Sequence, residues 1–260
     1  MRTVSHQGRE TAYERHDRGG DGEPLLCVHG SGGSHAVWKS QARLADERPV
    51  VAVDLSGHGV SEDVDAEAGF GALSAYADDV IAVAEETGAR VLVGSSLGGA
   101  VALHIALYRE FEPDGLVLAG TGARLAVLDD LLAWLAEDFD RAVEFLHEPG
   151  HLFYDADDRL VELSREAVYD CGRAVVERDF RTCHAFDVRD ELDGVSVPAL
   201  AVVGEHDRLT PPRYHEYLHE ELPDCGLATV EDAAHLAMLE RPGAFNEAVS
   251  AFLDGLGAAQ

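Results

Sequence analysis

Short runs of consecutive apolar residues recur along the chain, and glycine, proline or charged residues separate them. Runs of this length without polar alternation are typical of parallel strands that are buried on both faces of a sheet. Residues 25–28 are fully apolar and fit this description, and further strands are predicted at residues 49–53, 91–94, 115–120, 198–203 and 227–230. Residues 11–16 predict a further strand, the first in the chain, at the edge of the sheet.

Between these runs, apolar residues recur every three or four positions, which predicts amphipathic helices. The predicted helices span about residues 34–43, 73–87, 159–168, 173–186 and 242–253, and another begins at Leu97. Gly88 is the expected end of the second helix, because glycine readily adopts the left-handed backbone of a helix cap. Strands that alternate with helices indicate an α/β fold, and 260 residues suffice for one such domain with an insertion.

One long interval lacks strand-like runs. Almost eighty residues separate Gly120 from Pro198, and they show helical periodicity instead. An insertion after the carboxyl end of a strand falls over the edge of the sheet that bears the site. We therefore predict a helical cap at residues 123–196 on a core formed by residues 1–122 and 197–260. The cap would shield the site from water and shape the substrate pocket, and the alternative is a helical elaboration without substrate contact.

The chain is strongly acidic, with 49 Asp and Glu against 20 Lys and Arg, a net charge of −29 and Lys39 as its only lysine. Such a surface repels nucleic acid and anionic lipid, so neither is an expected partner. The composition resembles that of proteins from extreme halophiles, where concentrated salt screens the self-repulsion. A cation-binding acidic site is the rival interpretation, but the acidic residues are spread along the chain and form no D-x-D-x-D-G loop.

No segment has the roughly 18 consecutive apolar residues of a membrane span, and the first residues lack the apolar stretch of a secretory signal. A soluble, cytoplasmic protein without a membrane partner is therefore expected. The four cysteines, at positions 27, 171, 183 and 225, form no C-x-x-C pair and no zinc spacing, so no metal site is predicted. Inert thiols are the expected explanation, and a bridge between Cys171 and Cys183 stays open.

Residues 94–98 read G-S-S-L-G and join a β-branched apolar run to a helix-forming run. This is G-x-S-x-G in the strand–turn–helix context that the motif requires. The turn projects its central residue, so Ser96 is the candidate nucleophile, while Gly94 and Gly98 leave room for close backbones. The helix that begins at Leu97 directs its N-terminus at the serine, which favours developing negative charge.

A glycine-rich loop, H-G-S-G-G at residues 29–33, follows the first buried run. Glycines there let a backbone approach a ligand closely, as an oxyanion donor must. We assign the two donors of an oxyanion hole to the backbone N–H groups of Ser31 and Leu97. His29 is expected to order the loop through hydrogen bonds without a chemical role, and an ordinary glycine turn is the alternative for the whole loop.

Two more candidate residues follow the last two apolar runs. Asp207 lies just beyond the run at 198–203 and ahead of a proline-initiated helix, where a triad acid stands. His235 follows the final run and completes the order serine, acid, histidine. Asp54, after the run at 49–53, is a weaker candidate acid and is expected to bind N–H groups of its own loop.

Four motifs in one order resemble the α/β-hydrolase superfamily, specifically its capped, cofactor-free members. They are H-G-S-G-G at 29–33, G-S-S-L-G at 94–98, G-E-H-D at 204–207 and A-H-L at 234–236, and the resemblance covers essentially the whole chain. It implies an eight-stranded, mostly parallel sheet flanked by helices, with Ser96 as nucleophile, Asp207 as acid and His235 as base. It also implies oxyanion donors from Ser31 and Leu97, and no cofactor.

The same resemblance narrows the reaction. A serine nucleophile argues against the epoxide hydrolases and haloalkane dehalogenases of this fold, which use aspartate. Carbon–carbon bond hydrolases usually carry proline and asparagine where this chain has Gly33 and Ser95, and the loop is not the H-G-G-G form of some lipases.

We therefore expect a carboxylesterase that cleaves small carboxylic esters, its small-molecule substrates, through an acyl-enzyme. Thioester or carbon–carbon cleavage by the same triad is one alternative. A non-catalytic ligand-binding protein on a hydrolase scaffold is the other, because a fold does not dictate a function. The physiological substrate and the oligomeric state stay open.

Overall fold

Eight strands form one sheet in the computed structural model, which describes residues 1–258. The strands are β1 (Arg2–His6), β2 (Arg9–His16), β3 (Leu25–Val28), β4 (Val50–Val53), β5 (Val91–Ser95), β6 (Gly115–Ala119), β7 (Ala199–Gly204) and β8 (Cys225–Val230). Their order across the sheet is β1-β2-β4-β3-β5-β6-β7-β8. Neighbours from β4 to β8 pair in parallel, whereas β2 is antiparallel to both β1 and β4. The predicted eight-stranded, mostly parallel sheet is confirmed.

The prediction that residues 11–16 form the edge strand is wrong. These residues belong to β2, which lies second in the sheet, and β1 forms the edge instead. Gln7 and Gly8, with φ of 46° and 80°, make the tight turn between the two strands. β1 contains mostly exposed polar residues, so it has no apolar run by which the sequence could reveal it.

Helices cover both faces of the sheet. The α-helices are α1 (Phe70–Thr87), α2 (Leu97–Tyr108), α3 (Asp129–Glu137), α4 (Phe139–Leu146), α5 (Asp158–Cys171), α6 (Arg173–Ala185), α7 (Pro212–Glu221), α8 (Ala237–Glu240) and α9 (Pro242–Ala258). Side chains alternate along a strand, so Leu92 joins the apolar cluster of α1 and α2, while Val91 and Val93 join the cluster of α9. α1 ends at Gly88 with φ of 73°, as predicted.

Residues 34–43 do not form the predicted α-helix. Two short 3-10 helices, His35–Trp38 and Gln41–Asp46, replace it. Trp38 and Leu44 both pack in the apolar cluster on the α9 side of the sheet. Trp38 ends the first of these helices and Leu44 lies in the second, so the break at Lys39 and Ser40 allows both side chains to reach one cluster.

Helices α3 to α6 occupy the interval between β6 and β7. They share an apolar cluster, whose buried members are Leu131, Leu135, Ala142, Val143, Leu146, Val168 and Val176. α6 also packs against α1 and α2, which joins this inserted segment to the helices on one face of the sheet. No helix within residues 1–258 is both long enough and apolar enough to cross a membrane.

Candidate active site

Ser96 lies in a sharp turn between β5 and α2. Its backbone adopts φ of 53° and ψ of −116°, a conformation with positive φ that L-residues rarely take. Strain of this kind costs on the order of 1–3 kcal/mol and clusters at functional sites. Ser96 is half-buried, whereas its neighbours Ser95 and Leu97 are buried. The strand–turn–helix arrangement that the motif predicts is present.

Three glycines let backbones meet around this turn. A Cβ on Gly94 would lie 2.3 Å from Gly98 O, and a Cβ on Gly98 would lie 2.2 Å from Val28 O. A Cβ on Gly30 would lie 3.0 Å from the Cβ of Ser96. These spaces are too small for a side chain, so the loop after β3 contacts the serine turn directly because these positions are glycine.

The two predicted oxyanion donors come from this turn and this loop. The Leu97 N–H belongs to the first turn of α2, where N–H groups have no intrahelical acceptor. The Ser31 N–H bonds to no acceptor within residues 1–258, and its loop is closed by the Gly33 N–H, which donates to Gly30 O at 3.1 Å. Ser31 lines the cavity beside Ser96, and the role of the two N–H groups as oxyanion donors stays a prediction.

Asp207 and His235 form a buried pair. Asp207 follows β7 and His235 follows β8, and Asp207 Oδ2 lies 2.9 Å from His235 Nδ1. Asp207 Oδ1 also accepts the N–H groups of Leu209 and Thr210, at 2.8 and 2.9 Å. Burial by itself raises the pKa of Asp207, but His235 and the hydrogen bonds from Thr210 outweigh it and lower that pKa. The carboxylate is therefore held in its ionised form.

Ser96 and His235 line the same cavity, so the structure brings the serine alongside the aspartate–histidine pair. The Ser96 N–H donates to Ala119 O at 2.8 Å, and a Cβ on the next residue, Gly120, would lie 3.2 Å from His235 Nδ1. Within residues 1–258 no hydrogen bond joins Ser96 Oγ to His235. Of the contacts among Ser96, Asp207 and His235, the one between Asp207 and His235 is a direct hydrogen bond. Catalytic hydrogen bonds are often long in a free enzyme and tighten when substrate binds.

His29 and Asp54 order the neighbouring loops, as the sequence predicts. His29 Nδ1 lies 2.8 Å from Gly30 O, and its Nε2 accepts the Leu55 N–H at 3.1 Å. Burial and the nearby ring of a second histidine lower the pKa of His29 to about 4, so it is neutral. Asp54 Oδ2 accepts the Val60 N–H of its own loop at 3.2 Å, as predicted, and its Oδ1 also accepts the N–H of His35 at 2.7 Å.

A second buried aspartate–histidine pair contacts the loop at 29–33, and the sequence interpretation did not include it. Asp179 lies on α6, and its Oδ2 is 2.8 Å from His58 Nε2. The same oxygen accepts the Gly32 N–H at 3.1 Å, and Oδ1 accepts the Tyr76 hydroxyl at 2.6 Å. α6 is thereby fixed to the loop that carries Ser31. The signal available in the sequence was an aspartate at helical spacing from Val175, Val176 and Cys183, on the buried face of α6. The partners of Asp179 are distant in the chain, so this signal did not identify them.

The Asp179–His58 pair is ionic. Burial by itself lowers the pKa of His58, but Asp179 stabilises the imidazolium and raises that pKa well above its ordinary 6.5. Burial likewise raises the pKa of Asp179, but His58, the Tyr76 hydroxyl and the Gly32 N–H outweigh it and lower the pKa below the ordinary 3.8. Both ring nitrogens of His58 are engaged, since Nδ1 lies 3.1 Å from Ser56 O.

Glu240, in α8, supports the loop that carries His235, and sequence reasoning assigned it no role. Its Oε2 accepts the Ala234 N–H at 2.7 Å. Its Oε1 accepts the N–H groups of Tyr154 and Asp155, each at 2.9 Å. One carboxylate therefore ties the inserted segment to the histidine loop. Its three donors come from two distant stretches, so no sequence pattern could identify it.

A cavity of about 690 Å³ includes Ser96 and His235 in its lining. Its apolar wall comes largely from the inserted segment and contains Leu125, Leu128, Leu131, Phe145, Leu160, Leu163, Val168 and Phe180. Segments that follow β3 and β7 contribute Lys39, Arg208 and Arg213. A cavity of this size can hold a small organic ligand with an apolar part beside the serine.

The four cysteines have free thiols, so no bridge joins Cys171 to Cys183. Cys183 lines the cavity, and its Sγ lies 3.7 Å from Ser31 Oγ. Burial raises the pKa of Cys183 to about 12. Because the thiolate is the reactive form of cysteine, this thiol is unreactive near neutral pH.

One group of side chains in the described part of the chain has the spacing of metal ligands. Ligand atoms of Glu205, His206 and Asp232 lie within 4.8 Å of one another near the surface. Glu205 contacts the His206 ring at 3.6 Å and accepts the Asp232 N–H at 3.4 Å. These mutual contacts account for the cluster without an ion.

Residues 25–248 match the model of the alpha/beta hydrolase family, so the chain belongs to this family. It is an enzyme of the α/β-hydrolase class, and its relatives include esterases. The pimeloyl-[acyl-carrier protein] methyl ester esterase of Neisseria meningitidis serogroup C is 31% identical over 89% of this chain and 94% of that protein. 3-oxoadipate enol-lactonase 1 of Acinetobacter baylyi is 23% identical over 92% of this chain and 91% of that protein.

Solved structures of hydrolases superimpose closely on this chain. A thermophilic esterase superimposes with a TM-score of 0.86 at 30% identity, and the match covers 98% of this chain and 97% of that one. The enol-lactonase of Burkholderia xenovorans LB400 has a TM-score of 0.87 at 21% identity and covers 97% of this chain and 100% of that one, which shows the shared fold.

Proposed function

We propose that this protein is a serine hydrolase that cleaves small carboxylic esters through an acyl-enzyme. The observation that carries the proposal is the strained Ser96 beside the buried Asp207–His235 pair at one apolar cavity. The esterases among the relatives support carboxylic esters as the substrate class.

In the acylation step, Ser96 Oγ attacks the ester carbonyl while His235 accepts the hydroxyl proton. Asp207 holds Nδ1 of the ring, so Nε2 is the atom that takes the proton, and the carboxylate stabilises the imidazolium. The N–H groups of Ser31 and Leu97 bind the oxyanion, each contributing roughly 3 kcal/mol by analogy with the loss of one such donor. The imidazolium then gives its proton to the leaving alcohol.

Deacylation repeats the same proton movements with water as the nucleophile. His235 takes a proton from the water, the water attacks the acyl carbonyl, and Ser96 is restored. The scheme needs neither a metal nor a cofactor.

We also propose that residues 123–196 act as a cap on the core formed by residues 1–122 and 197–260. The apolar wall of the cavity comes largely from this segment. Asp179 fixes the segment to the loop of Ser31, and Glu240 ties it to the loop of His235. With anchors on both sides, the cap forms a fixed wall that keeps bulk water from the acyl group.

Replacement of the nucleophile tests this function. Ser96→Ala is expected to abolish turnover of nitrophenyl acetate and to keep the thermal unfolding midpoint of the wild type. Ser250→Ala, on α9 and outside the cavity lining, is the control and should retain full turnover. Unchanged turnover by Ser96→Ala would refute the proposal.

A further inference from the structure

The cavity beside Ser96 differs in charge from the rest of the molecule. The chain carries 49 Asp and Glu against 20 Lys and Arg, yet none of the described residues that line the cavity is acidic. The basic residues in that lining are Lys39, Arg208 and Arg213, and Lys39 is the only lysine of the chain. A positively charged cavity therefore lies within a strongly negative protein.

The three cations are available to a ligand. Within residues 1–258, nine of the 19 arginines are ion-paired with a carboxylate, and ten are not. Lys39, Arg208 and Arg213 also have no carboxylate partner there, and they differ from the other unpaired cations in that they line the cavity. All three are exposed, and Arg213 lies over the ring of Tyr214, with its Cζ 5.2 Å from the ring centroid. Cations that line the cavity without a carboxylate partner keep their charge for an incoming anion.

The charged and apolar parts of the lining come from different regions. Lys39, Arg208 and Arg213 belong to core segments after β3 and β7, and Leu131 and Phe180 exemplify the apolar wall from the inserted segment. Ser96 lines the same space. A ligand that satisfies both parts has an apolar chain and one anionic group.

We propose that the cavity selects esters that carry a carboxylate in addition to the scissile ester, in either the acyl or the alcohol part. The inference rests on the proposed function for hydrolysis, although binding can be measured without turnover. Guanidinium and ammonium groups bind carboxylates through charge-assisted hydrogen bonds. The acidic exterior repels such a ligand elsewhere, so attraction is confined to the cavity.

A different cause could produce the same charge pattern. Acidic residues beside the serine would oppose the oxyanion, and their absence alone would serve catalysis. In that case the three cations are incidental, and neutral and anionic esters of equal length bind equally well. The binding experiment separates the two explanations.

The experiment uses the Ser96→Ala protein, which binds ester without consuming it, and isothermal titration calorimetry. The ligands are methyl hexanoate, monomethyl adipate with an acyl-side carboxylate, and the hexanoate ester of glycolate with an alcohol-side carboxylate. At low salt, at least one anionic ester should bind about tenfold or more tightly than methyl hexanoate, as one charge-assisted hydrogen bond allows. The tighter of the two shows which side of the ester carries the charge.

Molar salt should shrink this preference, since the Debye length falls to about 3 Å. Equal affinities for all three esters, or a preference for methyl hexanoate, would overturn the proposal.

Substitutions locate the effect. Three variants are made in the Ser96→Ala background: Arg208→Gln, Arg213→Gln and Lys39→Gln. At least one of them should bind the anionic ester about threefold to tenfold more weakly. Methyl hexanoate should bind them unchanged. Arg2→Gln removes the same charge on β1, an exposed position at the edge of the sheet, and should change nothing. An equal loss in Arg2→Gln would assign the effect to net charge and contradict the proposal.

Turnover is measured separately on the wild-type protein with nitrophenyl acetate. If the protein bound the anionic ester selectively but did not turn over nitrophenyl acetate, the proposed hydrolase function would be wrong, and the proposed carboxylate selectivity would still hold. If the protein turned over nitrophenyl acetate but bound the three esters equally well, the hydrolase function would hold, and the proposed carboxylate selectivity would be wrong.

Discussion

The Asp207–His235 and Asp179–His58 pairs have almost the same geometry, with nitrogen–oxygen distances of 2.9 and 2.8 Å. They differ in whether the imidazole ring is accessible from the cavity. His58 is fully buried and both of its nitrogens have partners, whereas His235 is 5% exposed and lines the cavity. A buried aspartate beside a histidine is therefore not enough to define a base. Access to a reacting group distinguishes the two.

The partners of the two aspartates show the same division. Asp207 is bonded within its own loop, by Leu209 and Thr210, which aims the carboxylate at His235. Asp179 joins α6 to groups from other elements, the Gly32 N–H and the Tyr76 hydroxyl. We interpret the first pair as a device for moving a proton and the second as an anchor for the oxyanion loop.

The largest expected effect separates the two histidines. His235→Gln should lower kcat by about 10⁴-fold or more, because the serine loses its base, with little change in thermal stability. His58→Gln should lower the unfolding midpoint and keep activity within about tenfold in the folded protein. Nitrophenyl ester kinetics and thermal denaturation measure both. If His58→Gln lost activity as completely as His235→Gln, the division of roles would be wrong.

The next effect concerns the anchor itself. Asp179→Asn leaves a buried imidazolium without its counter-ion and should lower the free energy of unfolding by about 3–5 kcal/mol. Asp170→Asn, an exposed change on the neighbouring α5, is the control and should be within about 0.5 kcal/mol of the wild type. Urea titration gives both values, and equal stabilities of the two variants would show that the pair is not an anchor.

The contribution of the anchor depends on pH with a definite sign. The folded pKa of His58 is raised, so its stabilisation is complete below pH 6.5 and is lost as the pH rises through that folded pKa. The folded pKa of Asp179 is lowered, so its contribution is present above pH 3.8 and is lost as the pH falls through its folded pKa.

The stability difference between wild type and Asp179→Asn should therefore be largest near pH 5. It should shrink toward pH 9 by at most about 1.4 kcal/mol per pH unit. Urea titrations at pH 5, 7 and 9 measure it. A difference that grows with pH would mean that His58 is not the charged partner.

The smallest expected effect concerns the support of the His235 loop. In Glu240→Gln the amide replaces one acceptor oxygen with a donor that faces backbone N–H groups, which should cost about 1–3 kcal/mol. Glu247→Gln, exposed on α9, is the control and should be neutral. Thermal denaturation compares them, and a neutral Glu240→Gln would remove Glu240 as the link between cap and core.

The sequence predicted one of the two aspartate–histidine pairs and not the other. Asp207 and His235 could be predicted because each follows an apolar run, and the order of strand ends in this fold is regular. Ser96 could be predicted because its turn needs glycines at 94 and 98. The strands β3, β4, β5, β6 and β7 are buried throughout and left clear apolar runs, so the sequence predicted their positions. The sixth predicted run, at 227–230, belongs to β8, which lies at the edge of the sheet and is largely exposed or half-buried.

The remainder depends on contacts between distant segments. Asp179 meets groups at positions 32, 58 and 76. Its position at helical spacing from Val175 and Val176 places it on the buried face of α6, but the sequence does not show which distant groups it meets. β1 is amphipathic only weakly and is defined by its pairing with β2. After β3, Trp38 and Leu44 pack in one cluster from two separate 3-10 helices. The apolar spacing in the sequence predicted one α-helix there and could not show this break.

Covalent labelling shows whether Ser96 is a nucleophile activated by His235 and Asp207. The wild-type protein is incubated with a fluorophosphonate probe, and the adduct is mapped by peptide mass spectrometry. We expect one adduct on Ser96 in the wild type, much slower labelling in His235→Gln and normal labelling in the Ser250→Ala control. No adduct, or an adduct on another residue with Ser96 unmodified, would contradict it.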